Sequence, residues 1–374
     1  MLAFVISASL ILALLITFLN GMNDAADAVS CLITTKVLTP LKAVAWAAFW
    51  GFMAYFIFDS HVAETMSRGL VEAQYMNPYV VFCALAGATL WIGICTWLGL
   101  LEAQYMNPYV VFCALIGATS WIGICTWLGL PISSSQALIG GIIGPVLFNQ
   151  GSSALVLDGV FLVVLFMILT PVIGMVLGFF MQCLIMRLCK NANKKKTDKV
   201  FKKLQLLSSA AFSLGHGAND AQKTIGLISI MLFTSLQSPE ITENFKSILT
   251  IFFDAEKGYH VPQVVAVICY IMIALGTMVG GKNVIKTTGT GIVKITPDKG
   301  FCAETSGAAT VIGCSLFGIP VSTSHSIVGS IVGVGLTNGV KSISWGTAKS
   351  ILWAWLLTIP APLLISGLLY SIIK

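Results

Sequence analysis

Charge is what this chain has least of. Asp, Glu, Lys and Arg make up 10% of its 374 residues, whereas a soluble domain of that size carries roughly 25% to keep its surface wet. With 57% hydrophobic residues and a mean hydropathy of +0.91, a water-soluble globule is excluded. No CxxC pair occurs among the ten cysteines, and Cys83, Cys95, Cys113, Cys125, Cys269 and Cys314 sit inside apolar runs; they read as small packing residues, not as bridges or metal ligands. The GxxxxGK[ST] pattern is missing, which removes a nucleotide-phosphate loop, and the GxSxG elbow of serine hydrolases is missing too. Met1-Leu2-Ala3-Phe4 offers no positive n-region, and no small-residue cleavage site is present, so a retained first helix is expected in place of a signal peptide.

What the chain has instead is long apolar runs, among them Tyr79–Leu98, Leu155–Met186 and Val261–Val279. A bilayer core of about 30 Å needs roughly 20 apolar residues per helical crossing, so the chain is expected to cross the membrane many times. Its few charges are clustered. Arg187, Lys190, Lys194, Lys195, Lys196, Lys199, Lys202 and Lys203 crowd one short connection against a single acid, Asp198. By the positive-inside rule this connection is cytoplasmic, and between two membrane spans that reading outweighs nucleic-acid binding. Ser235–His260 carries a more even balance, with Glu240, Glu243, Asp254 and Glu256 against Lys246 and Lys257, which suits the opposite side. Gly281–Lys299, with Lys282, Lys286, Lys294 and Lys299, reads as a further cytoplasmic connection.

The chain repeats itself. Gly21-Met22-Asn23-Asp24-Ala25 matches Gly217-Ala218-Asn219-Asp220-Ala221, and Gly129-Leu130-Pro131-Ile132-Ser133-Ser134-Ser135 matches Gly318-Ile319-Pro320-Val321-Ser322-Thr323-Ser324 at nearly the same offset. The expected organisation is a first repeat over residues 1–186, a basic cytoplasmic loop over 187–203 and a second repeat over 204–374. Interrupted apolar segments at matching places in two halves point to a transporter's binding site, and an inverted relation between the halves is the expectation for such chains. The fold class is therefore an all-α polytopic transmembrane bundle of two repeats, each with a broken Asn-Asp helix and a Ser/Thr-rich re-entrant hairpin.

A second, tandem repeat is of another kind. Val71–Leu100 and Leu101–Leu130 differ only at 71/101, 86/116 and 90/120, and removing one copy brings the 90 residues from Leu41 to Pro131 level with the 59 from Val261 to Pro320. One copy, 71–100, is expected to lie outside the working core or to fail to span.

Two constellations could carry chemistry. Asn23-Asp24 and Asn219-Asp220 interrupt apolar stretches near mid-membrane, where an ionised carboxylate costs at least ~2.5 kcal/mol and so normally serves a function. A structural interhelical hydrogen bond is the plainer explanation for a single Asn; the repetition favours a site. The hydroxyls after Pro131 and Pro320 suit helix starts, whose free N–H groups and positive dipole end bind anions. A carboxylate beside such an anion separates hydrogen phosphate, which has an O–H to donate, from sulfate, which has none.

At this point the residues resemble a known family. GMNDAADA and GHGANDAQKTIG resemble the paired signatures of the inorganic phosphate transporter (PiT) family, and PISSSQ and PVSTSH look like its two Ser/Thr-rich hairpins. The resemblance covers nearly the whole chain apart from the extra copy. It implies an inverted-repeat helical bundle that carries phosphate with a coupling cation and uses no resident cofactor or metal. It implies phosphate binding by Ser133, Ser134, Ser322, Thr323, Asn23 and Asn219, with Asp24, Asp220, Asp27 and Lys223 as coupling residues. Sodium-coupled relatives typically have a second Asn where this chain has Asp27 and Lys223. A lysine ammonium has no lone pair for a metal cation, so a symmetric pair of sodium sites is disfavoured. Asp27 and Lys223 are expected as a charge pair, for coupling or for structure, and AQKTIG resembles the bacterial low-affinity branch, linked to protons and to metal-complexed phosphate. The cytoplasmic (inner) membrane of a bacterium is the implied location; oligomeric state, a homodimer included, stays open.

Three other readings compete. A carrier of another oxyanion such as sulfate is the nearest, and a channel shares the repeats but not the use for a buried Asn-Asp pair. An intramembrane hydrolase built on Ser324-His325 is the most distant, because adjacent residues rarely bring a base onto a nucleophile. His216, His325 and Glu304 are polar residues of uncertain purpose, read as hydrogen-bonding groups, with Glu304 also a candidate proton carrier.

Overall fold

The computed structural model describes residues 2–68, 108–151, 157–237, 241–252, 262–316 and 321–373. These are helical almost throughout, and among them the only extended pairing is one isolated antiparallel bridge, Val293 to Ile343. The expectations for residues 71–100 and for the turn at Pro320 lie outside the described residues.

Helix α1 (Leu2–Thr34) contains no proline and is rich in Leu, Ile and Ala, so nothing interrupts it for 33 residues. It stops where Lys36 turns left-handed (φ 55°) and Val37 N–H reaches back to Leu32 O at 2.9 Å, a Schellman closure. Pro40 then opens α2 (Pro40–Arg68), a first-turn position where its missing N–H costs nothing. Helix α3 (Pro108–Leu128) closes in the same manner: Gly129 takes φ 75°, and Leu130 N–H bonds Cys125 O at 2.8 Å. Pro131 prevents continuation, and Ser133 caps α4 (Ser134–Gln150) by accepting the Gln136 N–H.

The remaining helices are α5 (Leu157–Leu188), α6 (Lys194–Gln237), α7 (Glu243–Leu249), α8 (Gln263–Val279), α9 (Lys282–Thr290), α10 (Pro297–Leu316), α11 (Thr323–Leu336), α12 (Trp345–Leu357) and α13 (Pro360–Ile373). Among the described residues five stretches are long and apolar enough to cross a bilayer: Ala3–Thr34, Pro40–Ile57, Tyr109–Leu128, Val164–Leu188 and the α12–α13 pair, Trp345–Ile373. Taken together, α8 and α9, bent by 69° at Gly280-Gly281, make a sixth. Phe180, Trp127, Trp353 and Ile372 lie exposed on the outside of the bundle, as side chains facing lipid do. The chain is thus a multi-pass integral membrane protein.

Two sequence expectations need correction. The Asn-Asp motifs do not break their helices: α1 runs through Asn23-Asp24, and α6 runs unbroken for 44 residues through Asn219-Asp220. The polar side chains find partners on neighbouring elements, so the backbone has no cause to unwind. The basic connection is also largely helix, because Lys194–Lys203 form the first turns of α6. At about 1.5 Å per residue α6 reaches about 66 Å, twice the bilayer core, which leaves those lysines room to stand in water. The Gly281–Lys299 connection likewise holds α9 and the start of α10.

Helices α4 and α11 are buried within the bundle, and glycine lets them in. Gly140 and Gly144 of α4 lie against the carbonyl oxygens of Ile359 and Leu363, while Gly329 and Gly333 of α11 lie against those of Pro171 and Met175. Spacing four apart puts each pair on one helix face, the small-residue packing by which membrane helices approach closely. The second tandem copy supplies α3, whose Val110, Val111, Cys113, Ala114 and Leu115 are core residues.

Gly333→Ala should therefore lower the melting temperature of the detergent-purified protein, an overpacking penalty of about 1–3 kcal/mol. Gly313→Ala, where a Cβ meets nothing within 4 Å, should be neutral or stabilising by up to ~1 kcal/mol. Equal shifts for the two would contradict the packing account.

Candidate functional site

Three carboxylates converge where α1, α6 and α11 meet. Asp24 and Asp27 come from α1 and Asp220 from α6, each at most 2% exposed. The first turn of α11 closes over them. Thr323 Oγ1 lies 3.3 Å from Asp220 Oδ2 and 3.5 Å from Asp24 Oδ2, and Ser324 Oγ lies 3.0 Å from Asp24 Oδ1 and 2.6 Å from Asp27 Oδ2. A hydroxyl has one proton, so Ser324 donates to one of its two carboxylates at a time; a further proton or a cation completes the set. Asp27 Oδ1 has no hydrogen-bond partner among the described residues. His216, one turn before Asp220 on α6, brings Nδ1 to 2.8 Å from Asp220 Oδ2 and 4.0 Å from Asp24 Oδ2. One donor atom from each of Asp24, His216 and Asp220 falls within 4.8 Å of the others, an arrangement that could hold a cation.

The asparagines sit beside this cluster and tie the helix starts to it. Asn23 Nδ2 donates to Thr126 Oγ1 at 3.0 Å and to Leu130 O at 3.4 Å, while its Oδ1 accepts Ile132 N–H at 3.3 Å. Asn219 Nδ2 donates to Val321 O at 3.2 Å. Each asparagine thus grips the strand of chain that leads into a serine-capped helix: Ser133 accepts Gln136 N–H and Ser322 accepts His325 N–H, both at 3.3 Å. Ser133 and Ser134 are buried at the start of α4, yet no hydrogen bond described here joins either to the carboxylates. The side chain of Lys223 lies outside the described residues, and so does its expected pairing with Asp27.

Two residues of unassigned purpose acquire partners. Glu304, fully buried on α10, accepts from Ser208 Oγ at 2.7 Å and Gln205 Nε2 at 3.4 Å, and Gln205 Oε1 accepts from Thr35 Oγ1 at 2.9 Å. This chain of bonds joins α10, α6 and the end of α1. His325 turns away from Ser324: its Nδ1 faces Met167 O at 3.3 Å and its ring stacks on Trp355 at 3.9 Å, while Trp355 Nε1 donates to Pro131 O at 2.9 Å. With its neighbouring hydroxyl committed to carboxylates, the Ser324-His325 hydrolase has no base on its nucleophile. His216 and Ser324 are the site members that sequence reading left out. The i, i+4 spacing of His216 and Asp220 shows them on one face only once α6 is known to be continuous.

Buried carboxylates roofed by hydroxyls inside a bundle of membrane-length helices define a membrane transporter. Comparison with known proteins agrees. The description of the phosphate transporter family matches residues 20–101 and 100–366. The chain is 38% identical to a "Probable low-affinity inorganic phosphate transporter" of Rhizobium meliloti (strain 1021), over 99% of this chain and 97% of that one. It is 33% identical to the like-named protein of Bacillus subtilis (strain 168), over 97% and 96%. A solved structure of a sodium-dependent phosphate transporter shares the fold with a TM-score of 0.74, at 24% identity and 99% coverage of both chains. The chain belongs to the phosphate transporter family, a family of transporters and not of enzymes.

Asn23→Ala should leave Ile132 N–H without its acceptor inside the bundle and cost about 1–3 kcal/mol, read as a lower melting temperature of the purified protein. An unchanged melting temperature would show that Asn23 does not hold the start of α4.

Proposed function

We propose that this protein is a secondary active symporter that carries inorganic phosphate across the cytoplasmic membrane of a bacterium, with protons as the coupling ion. The relatives named as low-affinity inorganic phosphate transporters support the substrate. The observation that carries the reading is the trio Asp24, Asp27 and Asp220 under the Thr323 and Ser324 hydroxyls. The start of α11 offers N–H groups and a dipole that attract an anion, while three buried carboxylates repel one. Only when a proton or cation offsets that charge does phosphate enter on favourable terms, and this conditional entry is coupling. Hydrogen phosphate can also donate its O–H to a carboxylate, which sulfate cannot do.

In this reading Ser133, Ser134, Ser322 and Thr323 hold the phosphate with Asn23 and Asn219 behind them, and Asp24, Asp220, Asp27 and Lys223 handle the coupling ion. A metal-complexed phosphate is accommodated if the Asp24–His216–Asp220 group takes the metal as cargo. The two halves, 1–186 and 204–374, act as inverted repeats across the 187–203 stretch, with α4 and α11 as the inner helices of two re-entrant hairpins. The matching grips of Asn23 and Asn219, the serine caps and the paired glycine contacts support that relation. In this reading one tandem copy, 71–100, is extra; that the family match comes in two pieces, 20–101 and 100–366, which meet at the junction of the copies, supports a duplication there.

The test is uptake of labelled phosphate by proteoliposomes under an imposed proton gradient, then a sodium gradient, with excess sulfate as competitor. Proton-driven uptake indifferent to sulfate is expected; sodium-driven uptake alone would overturn the coupling ion, and sulfate competition the selectivity. Asp24→Asn and Asp220→Asn should each lower uptake about a hundredfold or more, a loss of roughly 2.7 kcal/mol, with the protein still in the membrane. Full transport by both variants would remove the carboxylates from the mechanism.

A further inference from the structure

A cavity of about 420 Å³ opens beside the start of α10, apart from the carboxylate cluster. That volume is within the range of roughly 300–1,000 Å³ that small-molecule sites occupy. Its lining includes Gln182 near the end of α5, Lys194 and Asp198 in the first turns of α6, Lys294 in the segment after α9, and Asp298 and Lys299 in the first turn of α10. The segment after α9 is fixed in place by the Val293–Ile343 bridge and by Ser344 N–H bonding Ile292 O at 2.9 Å.

Lys299 makes this cavity more than a crevice. Its side chain is buried, with 5% of the residue exposed, and it lines the cavity with no hydrogen bond or ion pair to any described residue. Lysine is almost never buried without a partner, because a desolvated ammonium must be offset by an opposite charge. The adjacent acid, Asp298, makes no ion pair with it and turns its Oδ2 to Gln182 Nε2 at 2.7 Å; with Asp198 the lining holds two acids against three lysines, a net positive charge. Lys194 and Lys294, both exposed, add positive charge at the rim. The 20-residue α10 adds the backbone N–H groups of its first turn, where an anion is favoured. The lining contains no arginine, so nothing in it presents the planar fork that suits a carboxylate; ammonium groups and N–H donors from several directions suit a tetrahedral anion.

We propose that this cavity binds a phosphoryl group, either free inorganic phosphate or the headgroup of an anionic phospholipid, at a site separate from the transport site. The site stands on the same end of the molecule as the basic turns of α6, since Lys194 belongs to both. It does not depend on the reading of the carboxylate cluster.

Two arms of one experiment distinguish the sources. The full-length protein, in an Asp220→Asn background that leaves the cavity untouched, is titrated with inorganic phosphate in lipid-free detergent. In parallel, retention of phosphatidylglycerol against phosphatidylcholine is read by native mass spectrometry after extraction from mixed nanodiscs. Each arm compares the parent with Lys299→Gln and with Lys294→Gln, an exposed position whose variant keeps the fold. Saturable binding in at least one arm is expected, weakened tenfold or more by Lys299→Gln and at least threefold by Lys294→Gln; the responding arm names the source. Binding by Lys294→Gln equal to the parent in both arms, or no binding in either arm, overturns the proposal whatever Lys299→Gln does.

Discussion

The structure turns on keeping three carboxylates together inside a membrane. An isolated ionised Asp at the bilayer centre costs at least ~2.5 kcal/mol, and neighbouring negative charges add repulsion. Asp24, Asp27 and Asp220 persist there because the Thr323 and Ser324 hydroxyls donate to them, because His216 sets a ring nitrogen 2.8 Å from Asp220, and because the cluster has room for a further positive charge. A site so built is incomplete without a cation or proton. That incompleteness is what makes it suitable for proposed symport, since an anion arriving at the start of α11 meets acceptable electrostatics only with the companion charge present.

The surrounding architecture serves to hold α11 and α4 at the cluster. Both helices are short: α11 has 14 residues and α4 has 17, about 21 and 26 Å at the α-helical rise, less than a bilayer core. They cannot be fixed by spanning, so they are fixed by contact. Glycine pairs seat each one on a carbonyl-lined partner helix, Pro171–Met175 for α11 and Ile359–Leu363 for α4. Asn23 and Asn219 grip the chain just before their first turns, and Trp355 links Pro131 to the His325 ring. The residues that hold the helix starts are thus neighbours in sequence of the residues that carry the charge. A single short motif, Asn-Asp, supplies both.

Much of this was legible in the sequence, for identifiable reasons. Long apolar runs and a near absence of charge are global signals, and they correctly placed the chain in the membrane. The repeated Asn-Asp motifs fall on the two helices, α1 and α6, that carry the carboxylates, and the hydroxyls after Pro131 and Pro320 were expected at helix starts, which Ser133 and Ser322 cap. What failed was local. A break was expected at Asn-Asp because polar residues in an apolar helix suggest unwinding, but their partners came from segments more than a hundred residues away in sequence, which no periodicity reveals. The same error hid His216, whose position on the cluster face depends on an unbroken α6. Ser324 was passed over for Ser322 and Thr323, and only the rotation of α11 decides which hydroxyls face inward. The Ser208 and Gln205 partners of Glu304 and the burial of Lys299 are tertiary facts with no sequence signature.

The central claim is that phosphate and a positive charge enter the carboxylate cluster together. Its most direct test is calorimetric titration of the purified protein with phosphate in buffers of different ionisation enthalpy, at fixed pH and in the absence of sodium, which counts protons taken up per phosphate bound. The account predicts net proton uptake that disappears in Asp24→Asn. Phosphate binding with no proton uptake beyond that of the variant, and no dependence on added sodium, would contradict it.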